Sequence, residues 1–174
     1  MSTPLPHPRP RPKALLFDFM GTCLDWHTSI TSGFSSLSSS APPIYGALAS
    51  EIAMAWRLGY FAERRAGLGV EDIDVTHRRV LDRVLEERGF GFGYGNGRWG
   101  EEERREMVGW WHVQEAWPDV APALERLRDK FDLVVHANGT TRLQIDLVKS
   151  SGLNFNAVLS SELLDVAKPE PGMY

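Results

Sequence analysis

Three short apolar runs are spaced along the chain, and polar turn residues follow each of them. The runs are Ala14–Phe17, 133–136 and Ala157–Ser160. The first run, with two leucines and a phenylalanine, does not alternate apolar with polar residues, which is typical of a parallel sheet covered on both faces. The pattern therefore predicts three strands of one parallel sheet, the first of them buried.

Between these runs, apolar residues recur every three or four positions and predict helices. The helices begin after residues 28–40, which are rich in Ser and Gly, and cover 44–66, 75–88, 101–114, 120–130 and 142–150. Helices that alternate with single strands indicate right-handed βαβ crossovers. We therefore expect an α/β fold, in which residues 13–25 and 116–174 form a Rossmann-like parallel core and residues 26–115 form a helical cap inserted after the first strand.

Length and composition are typical of a globular protein. The chain has 174 residues, of which 43% are hydrophobic, and this suits one domain that carries an insertion. The net charge is −4 with basic residues scattered among acidic ones, so the chain lacks the electrostatic footprint of a nucleic-acid binder. A single cysteine, Cys23, excludes an internal disulfide framework and favours a cytoplasmic location.

Two glycine- or proline-rich segments have structural interpretations. Residues 1–12 contain prolines at 4, 6, 8, 10 and 12 and no apolar stretch, so we expect a disordered tail and neither a signal peptide nor a membrane span. Residues 89–100 contain six glycines, but no strand precedes them and no helix with a Lys follows, as a phosphate-binding loop requires. We interpret this second segment as a flexible loop between helices.

Polar residues stand at the ends of the three predicted strands. Asp18 and Thr22 follow the first strand, Asn138 and Gly139 follow the second, and Lys168 follows the third. In a doubly wound sheet such residues converge on one crevice. A carboxylate that a lysine keeps ionised is a candidate nucleophile that forms an aspartyl ester. Each residue alone is an ordinary turn or loop residue, but their joint placement indicates a site.

These segments resemble a known family. The sequence DFMGT at 18–22, the Asn138-Gly139 turn, and KPEP at 168–171 followed by Tyr174 are similar to the first three sequence blocks of the haloacid dehalogenase superfamily. The segment WPDV at 117–120, the Leu-Asp pair at 24–25 and the Lys-to-Tyr spacing of six are most similar to the L-2-haloacid dehalogenases. The resemblance covers nearly the whole chain after residue 12.

The resemblance implies a catalytic role for four residues. Asp18 would attack the halogen-bearing carbon and form an ester that water hydrolyses, while Thr22 and Lys168 hold and polarise it. Arg57 falls where the family has an arginine that receives the departing halide, and a guanidinium fork suits a diffuse anion. The alternative for Arg57 is an ordinary solvated helix arginine.

The resemblance also implies a substrate pocket and a set of partners. The residues of the implied pocket are Asn138, Gly139, Tyr174 and Met20. Backbone N–H groups of the turn after the second strand would bind the substrate carboxylate. The implied partner is a short 2-haloacid or a related small carboxylic acid, with no metal, organic cofactor, nucleic acid or membrane, and with a homodimer paired through the cap as one assembly.

Met20 distinguishes between the chemistries of the superfamily. Its phosphatases carry a second Asp two residues after the nucleophile, because expelling an alkoxide needs a general acid. A thioether cannot donate a proton, whereas a halide leaves without one. The first hypothesis is therefore a hydrolase of the carbon–halogen bond. The alternatives are a catalytically inactive or truncated member that acts as a binding or regulatory domain and, third, a magnesium-dependent phosphatase.

Two departures from the family pattern change what we expect. Ala137 stands where the family has a Ser that helps to bind the substrate carboxylate. The sequence stops at Tyr174, whereas the family continues into a further strand and an acidic block, so we expect the C-terminal part of the core to be missing. The strand that leads to Asp18 would then have an exposed edge.

The remaining candidates have structural interpretations. Four histidines lack the i, i+4 spacing and the carboxylate cluster of a metal site, so we expect them on the surface or in packing. Three tryptophans are expected to pack the cap against the core, and Cys23 to be a small buried residue. The histidines are His27, His77, His112 and His136, and the tryptophans are Trp110, Trp111 and Trp117.

Overall fold

A computed structural model describes residues 11–37, 44–67, 72–90 and 99–174. Its sheet has three parallel strands in the order β1 (Ala14–Phe17), β2 (Asp132–Ala137) and β3 (Ala157–Ser160). Ala14 lies opposite Asp132, and Val134 lies opposite Ala157. The three predicted strands are confirmed, and β2 is one residue longer at each end than its apolar run.

In the described part of the chain, four helices and a short 3-10 turn lie between β1 and the helix that precedes β2. The helices are α1 (Trp26–Ser36), α2 (Gly46–Arg65), α3 (Ile73–Glu87) and α4 (Glu101–Gly109), and the 3-10 turn is Trp110–His112. We refer to residues 26–115 as the cap and to the rest of the described chain as the core. The core helices are α5 (Val120–Arg128), α6 (Thr141–Ser151) and α7 (Ser161–Leu164), followed by a 3-10 turn at Pro171–Met173.

Helix α1 was not predicted from the sequence. Its Ser-rich segment buries only Ile30 and Phe34, so its apolar period is weak. The side chain of Asp25 accepts a hydrogen bond from the Thr28 backbone N–H and caps the helix, which satisfies one of the N–H groups that lack a partner within the helix. Packing of two side chains and this cap define a helix that the local pattern did not reveal.

Buried side chains form two clusters, one in the cap and one in the core. Trp56 and Trp111 are fully buried in the cap cluster, and Leu133 and Val135 are fully buried in the core cluster. Met20 packs against both clusters. The turn after β1 is therefore the place where apolar contacts join the cap to the sheet.

The structure corrects the prediction that the first strand is buried. Leu16 is 56% exposed, and the other residues of β1 are only partly buried. Within the described chain β1 pairs only with β2, so its outer edge has no neighbouring strand. The apolar composition of this run correctly predicted a strand but not its degree of burial.

The tryptophans were also predicted incorrectly as links between cap and core. Trp111 stacks on Trp26 inside the cap, with ring centroids 5.8 Å apart, and Trp110 packs against Phe34 of α1. Trp117 is 37% exposed. The rings therefore stabilise the cap itself, because α1 and the 3-10 turn lie side by side.

Helix α2 presents an apolar face to solvent. Met54, Leu58 and Phe61 are all exposed on this face. Glu51 and Arg65 are also exposed and lie seven residues on either side of Leu58, which is about two helical turns and therefore the same face. None of the described helices has the length and apolarity that a membrane crossing requires.

Two predictions fall on residues whose structure is not described. The proline-rich tail lies almost entirely within residues 1–10, and most of the glycine-rich segment lies within residues 91–98. Both interpretations remain predictions.

Candidate active site

Asp18 is the first residue after β1 and begins a tight turn. The backbone N–H groups of Cys23 and Leu24 both donate to the carbonyl oxygen of Phe19. Gly21 has φ = +90°, in the left-handed region, where a residue with a Cβ would be strained. The turn brings Thr22 back towards Asp18, so that Thr22 Oγ1 donates to Asp18 Oδ2 at 2.9 Å.

Lys168 contacts the other oxygen of the same carboxylate. Its Nζ atom lies 3.0 Å from Asp18 Oδ1 and also donates to the carbonyl oxygen of His136 at 2.5 Å. The side chain of Lys168 is 19% exposed and that of Asp18 is 50% exposed. The sequence prediction that these strand-end residues meet is confirmed in the geometry, but the carboxylate is half-exposed and does not lie at the bottom of a dry crevice.

Asn138 places Lys168 beside Asp18. The Asn138 side chain accepts a hydrogen bond from the Lys168 backbone N–H at 2.8 Å and donates one to the Lys168 carbonyl oxygen at 3.1 Å. Gln144 Nε2 in turn donates to the Asn138 carbonyl oxygen at 3.0 Å. The sequence indicated Asn138 as a pocket residue but not this contact, which joins two loops separated by 30 residues.

The turn after β2 differs from what the resemblance implied. The Gly139 N–H donates to Ser161 Oγ at 2.9 Å, and the Thr141 N–H donates to Glu162 Oε2 at 2.8 Å. These two amides therefore already have acceptors and are not free to bind a substrate carboxylate. Ser161 and Glu162 were missed from the sequence, although they follow β3 in the same way as Asn138 follows β2.

Arg57 approaches the site from the cap. Its Nη1 atom contacts the Sδ atom of Met20, and its guanidinium carbon lies 4.8 to 5.6 Å from the ring centroids of Trp26, Phe61 and Trp111. Among the described residues, no carboxylate forms an ion pair with it. Arg57 is thus a cation surrounded by aromatic faces, an arrangement that stabilises the charge and leaves it available to an anion.

Burial affects the charge of Arg57. It lowers the pKa of this guanidinium from its usual value to about 10, and the charges of Tyr60 and Asp18 partly offset the effect. At neutral pH the side chain therefore keeps its positive charge.

Cys23 contacts the backbone of Asp18. Its Sγ atom contacts the Asp18 carbonyl oxygen at 3.4 Å, and its side chain is buried, as expected. Burial, together with the charge of Asp18, raises the pKa of the thiol to about 11. Cys23 is therefore a neutral packing residue at physiological pH.

Tyr174 lies at the rim of the site. Its side chain is 81% exposed, and its ring contacts the ring of His136 edge-on with centroids 6.1 Å apart. The backbone carbonyl of His136 holds the Lys168 ammonium, so Tyr174 is close to the site without touching Asp18. Its role in the pocket remains a prediction.

A crevice of about 620 Å³ lies between the cap and the core. Tyr60 and Arg64 line it from α2, and Gly139, Ser161 and Glu162 line it from the core loops. Asp18 does not line this crevice, although Gly139, in the turn after β2, does. Sequence reasoning missed the α2 residues, because no strand end marks them.

The donors around Asp18 do not suit a magnesium ion. Mg²⁺ takes oxygen ligands in near-ideal octahedral geometry. Thr22 and Lys168 each contact one oxygen of the Asp18 carboxylate, and Met20, two residues further on, supplies a thioether instead of an oxygen ligand. Within the described ranges, no three His, Cys, Asp or Glu residues are grouped as metal ligands.

Together these features define an α/β protein with an aspartate–lysine pair at the strand ends of a parallel sheet and with helices inserted after the first strand. The chain belongs to the haloacid dehalogenase-like hydrolase family, whose model matches residues 12–174. A comparison with curated proteins gave no match.

Several solved structures share this fold. An L-2-haloacid dehalogenase structure is 27% identical with a TM-score of 0.78 and covers 94% of this chain and 68% of its own. A defluorinating L-2-haloacid dehalogenase is also 27% identical, with a TM-score of 0.76, and covers 94% and 66%. The L-2-haloacid dehalogenase of Xanthobacter autotrophicus is 24% identical, with a TM-score of 0.73, and covers 94% and 62%. The chain therefore spans about two thirds of the length of these proteins.

Proposed function

We propose that this protein hydrolyses the carbon–halogen bond of a short 2-haloacid through an ester at Asp18. The observation that carries the proposal is the arrangement around Asp18. Both oxygens of its carboxylate are held, by Lys168 at 3.0 Å and by Thr22 at 2.9 Å, while Met20 occupies the position from which a phosphatase would donate a proton.

The proposed reaction has two steps. In the first, an Asp18 carboxylate oxygen attacks C2 of the haloacid, the carbon–halogen bond breaks, and the halide leaves with the bonding electron pair. In the second, water attacks the ester carbonyl carbon and releases a 2-hydroxy acid with inverted C2, which regenerates the Asp18 carboxylate and gives a proton to solvent. Lys168 and Thr22 fix the orientation of the Asp18 carboxylate for the first step.

Arg57 supports a halide as the leaving group. A halide ion is large and weakly hydrated, and negative charge develops on it during the first step. The Arg57 guanidinium contacts Met20, two residues after the nucleophile, and has no carboxylate partner among the described residues. A preorganised cation at this place stabilises the charge of the transition state.

The similarity to L-2-haloacid dehalogenases at 27% identity is consistent with this choice of reaction. These proteins carry a further third of sequence beyond the matched part, so the substrate is proposed on the geometry of Asp18, Met20 and Arg57. The expected partner is a small carboxylic acid with a halogen on C2.

The test measures halide release from L- and D-2-chloropropionate without added metal. Wild type is compared with Asp18→Asn and with the matched control Asp129→Asn, which changes an exposed aspartate at the end of α5. Circular dichroism establishes that all three proteins are folded. We expect release from the L-substrate in wild type and in the control, and none in Asp18→Asn.

A second measurement tests the ester directly. In H₂¹⁸O, hydrolysis at the ester carbonyl carbon places ¹⁸O in the Asp18 carboxylate, and mass spectrometry of the peptide that contains residue 18 detects it. Halide release without label at Asp18 would contradict the mechanism. No release from the folded wild type would instead favour a binding or regulatory domain, and phosphate release that depends on magnesium and on Asp18 would favour a phosphatase.

A further inference from the structure

His112 bridges the cap and the core. It ends the 3-10 turn of the cap, and its Nε2 atom lies 2.9 Å from Asp74 Oδ1 at the start of α3. Its Nδ1 atom lies 2.9 Å from Asp146 Oδ2 on core helix α6. We call the set Asp74, His112 and Asp146 the clamp. The clamp was not expected from the sequence, because His112 is 38 residues from Asp74 and 34 residues from Asp146.

The geometry requires a charged imidazole. A carboxylate oxygen accepts hydrogen bonds and donates none, and a neutral imidazole has only one N–H group. Both ring nitrogens of His112 face a carboxylate, so both contacts are satisfied only when both nitrogens are protonated. The side chain is 18% exposed, and its partners are 44% and 19% exposed, so water screens the clamp only in part.

Helices α6, α3, α1 and α4 surround the clamp, and their charged groups affect it to different degrees. On α6, Arg142 also pairs with Asp146 at 2.8 Å. On α3, His77 is fully buried in an aromatic stack, and burial keeps its pKa well below the usual range, so it adds no positive charge at neutral pH. In the described parts of α1 and α4, which also contact the 3-10 turn, no charged side chain pairs with His112.

The clamp joins the two elements that border the site. Helix α6 begins directly after the Asn138-Gly139 turn, and Ile73 of α3 lies against that turn. Ser150 of α6 makes a second bridge, because its hydroxyl donates to the His112 carbonyl oxygen at 3.3 Å. Helix α3 also packs on α2, which carries Arg57. The clamp, in which His112 joins Asp74 to Asp146, therefore links the helix that packs on α2 to the helix that follows the Asn138-Gly139 turn.

We propose that His112 is a positioning residue whose imidazolium holds the cap against the core, and that its deprotonation releases the start of α3. The effect on catalysis rests on the proposed function, but the contact itself does not. Asp74 and Asp146 raise the pKa of His112 above its ordinary value. The clamp is thus fully formed below about pH 6.5, the ordinary value, and is lost as the pH rises through the raised pKa.

The test uses two measurements on the intact protein, neither of which depends on activity. The first is an NMR titration of the histidine rings in wild type, Asp74→Asn, Asp146→Asn and the matched control Asp129→Asn. We expect His112 to titrate above pH 6.5 in wild type and in the control. Each of the other two variants should lower that midpoint, because each removes one carboxylate partner.

The second measurement is amide hydrogen exchange in α3 and α5 across the His112 midpoint, corrected for the intrinsic pH dependence. Loss of a charge-assisted hydrogen bond should raise exchange at the start of α3 by about tenfold. Helix α5, which does not contact His112, should not change. In His112→Lys, whose positive charge persists to higher pH, exchange in α3 should stay low.

Two results would overturn the proposal. One is a wild-type His112 that titrates at or below its ordinary value, which would mean that the carboxylates do not hold the charged form. The other is a raised midpoint with unchanged exchange in α3. A protein that releases no halide but passes both measurements would refute the proposed function and leave the clamp established.

Discussion

Arg57 gives the sharpest prediction about the reaction. We expect Arg57→Met to keep the volume and the aromatic packing of the side chain and to remove only its charge and its hydrogen-bond donors. Arg57 has no carboxylate partner among the described residues, so the substitution leaves no carboxylate without its ion pair. The loss therefore falls on transition-state stabilisation and not on folding.

The magnitude follows from the position of the guanidinium. Removing one preorganised donor from a developing negative charge costs about 3 kcal/mol, or roughly 10² in kcat. Arg57→Lys should fall between wild type and Arg57→Met, because an ammonium keeps the charge but loses the planar stack on Trp26 and Phe61. Because burial lowers the pKa of Arg57 to about 10, wild-type kcat should decline as the pH rises through that value. This decline should be absent in Arg57→Met.

Halide release under substrate saturation is the assay, with 2-chloro-, 2-bromo- and 2-iodopropionate compared. The matched control is Arg126→Met, which changes a solvent-exposed arginine of α5. The loss in Arg57→Met should be largest for chloride, the most basic leaving group of the three. A loss of less than about threefold, equal for all three halides, would refute the assignment of Arg57. Bromide quenching of tryptophan fluorescence gives an independent test, since Trp26 and Trp111 contact Arg57.

The other predictions concern reactivity, stability and assembly. At pH 8, Cys23 should react with iodoacetamide more than about 100-fold more slowly than a free thiol, because its pKa is about 11; fast labelling of the folded protein would contradict its burial. Arg104 is fully buried and its Nη1 contacts Asp82 at 2.6 Å, so Arg104→Met should lower the free energy of unfolding by about 2–3 kcal/mol in urea titrations, and a loss near zero would contradict this role. Two copies that pack antiparallel about Leu58 would place Glu51 of each opposite Arg65 of the other, so we expect a dimer that Leu58→Asp converts to monomer in sedimentation; a monomeric wild type would exclude it.

Local sequence patterns determined the parts of the fold that depend on neighbouring residues. The strand limits of β1 and β3 were predicted correctly, because an apolar run that ends in a turn is a local feature. The meeting of Asp18 with Lys168 was also predictable, since parallel strands present their carboxyl ends at one edge of the sheet. The family resemblance added Arg57 as a candidate, which the spacing of residues alone did not single out.

Other features became visible only in the tertiary structure. The Asn138 side chain accepts a hydrogen bond from the Lys168 backbone N–H, and Ser161 Oγ accepts one from the Gly139 N–H. His112 lies between a carboxylate of the cap and one of the core. Each of these contacts joins residues that are more than 20 positions apart and come from different elements. The periodicity of a helix or strand indicates which of its faces is apolar, but it does not indicate which other element packs against that face. The sequence therefore determined the strands and the candidate nucleophile, whereas the packing of the cap on the core decided which polar groups have hydrogen-bond partners.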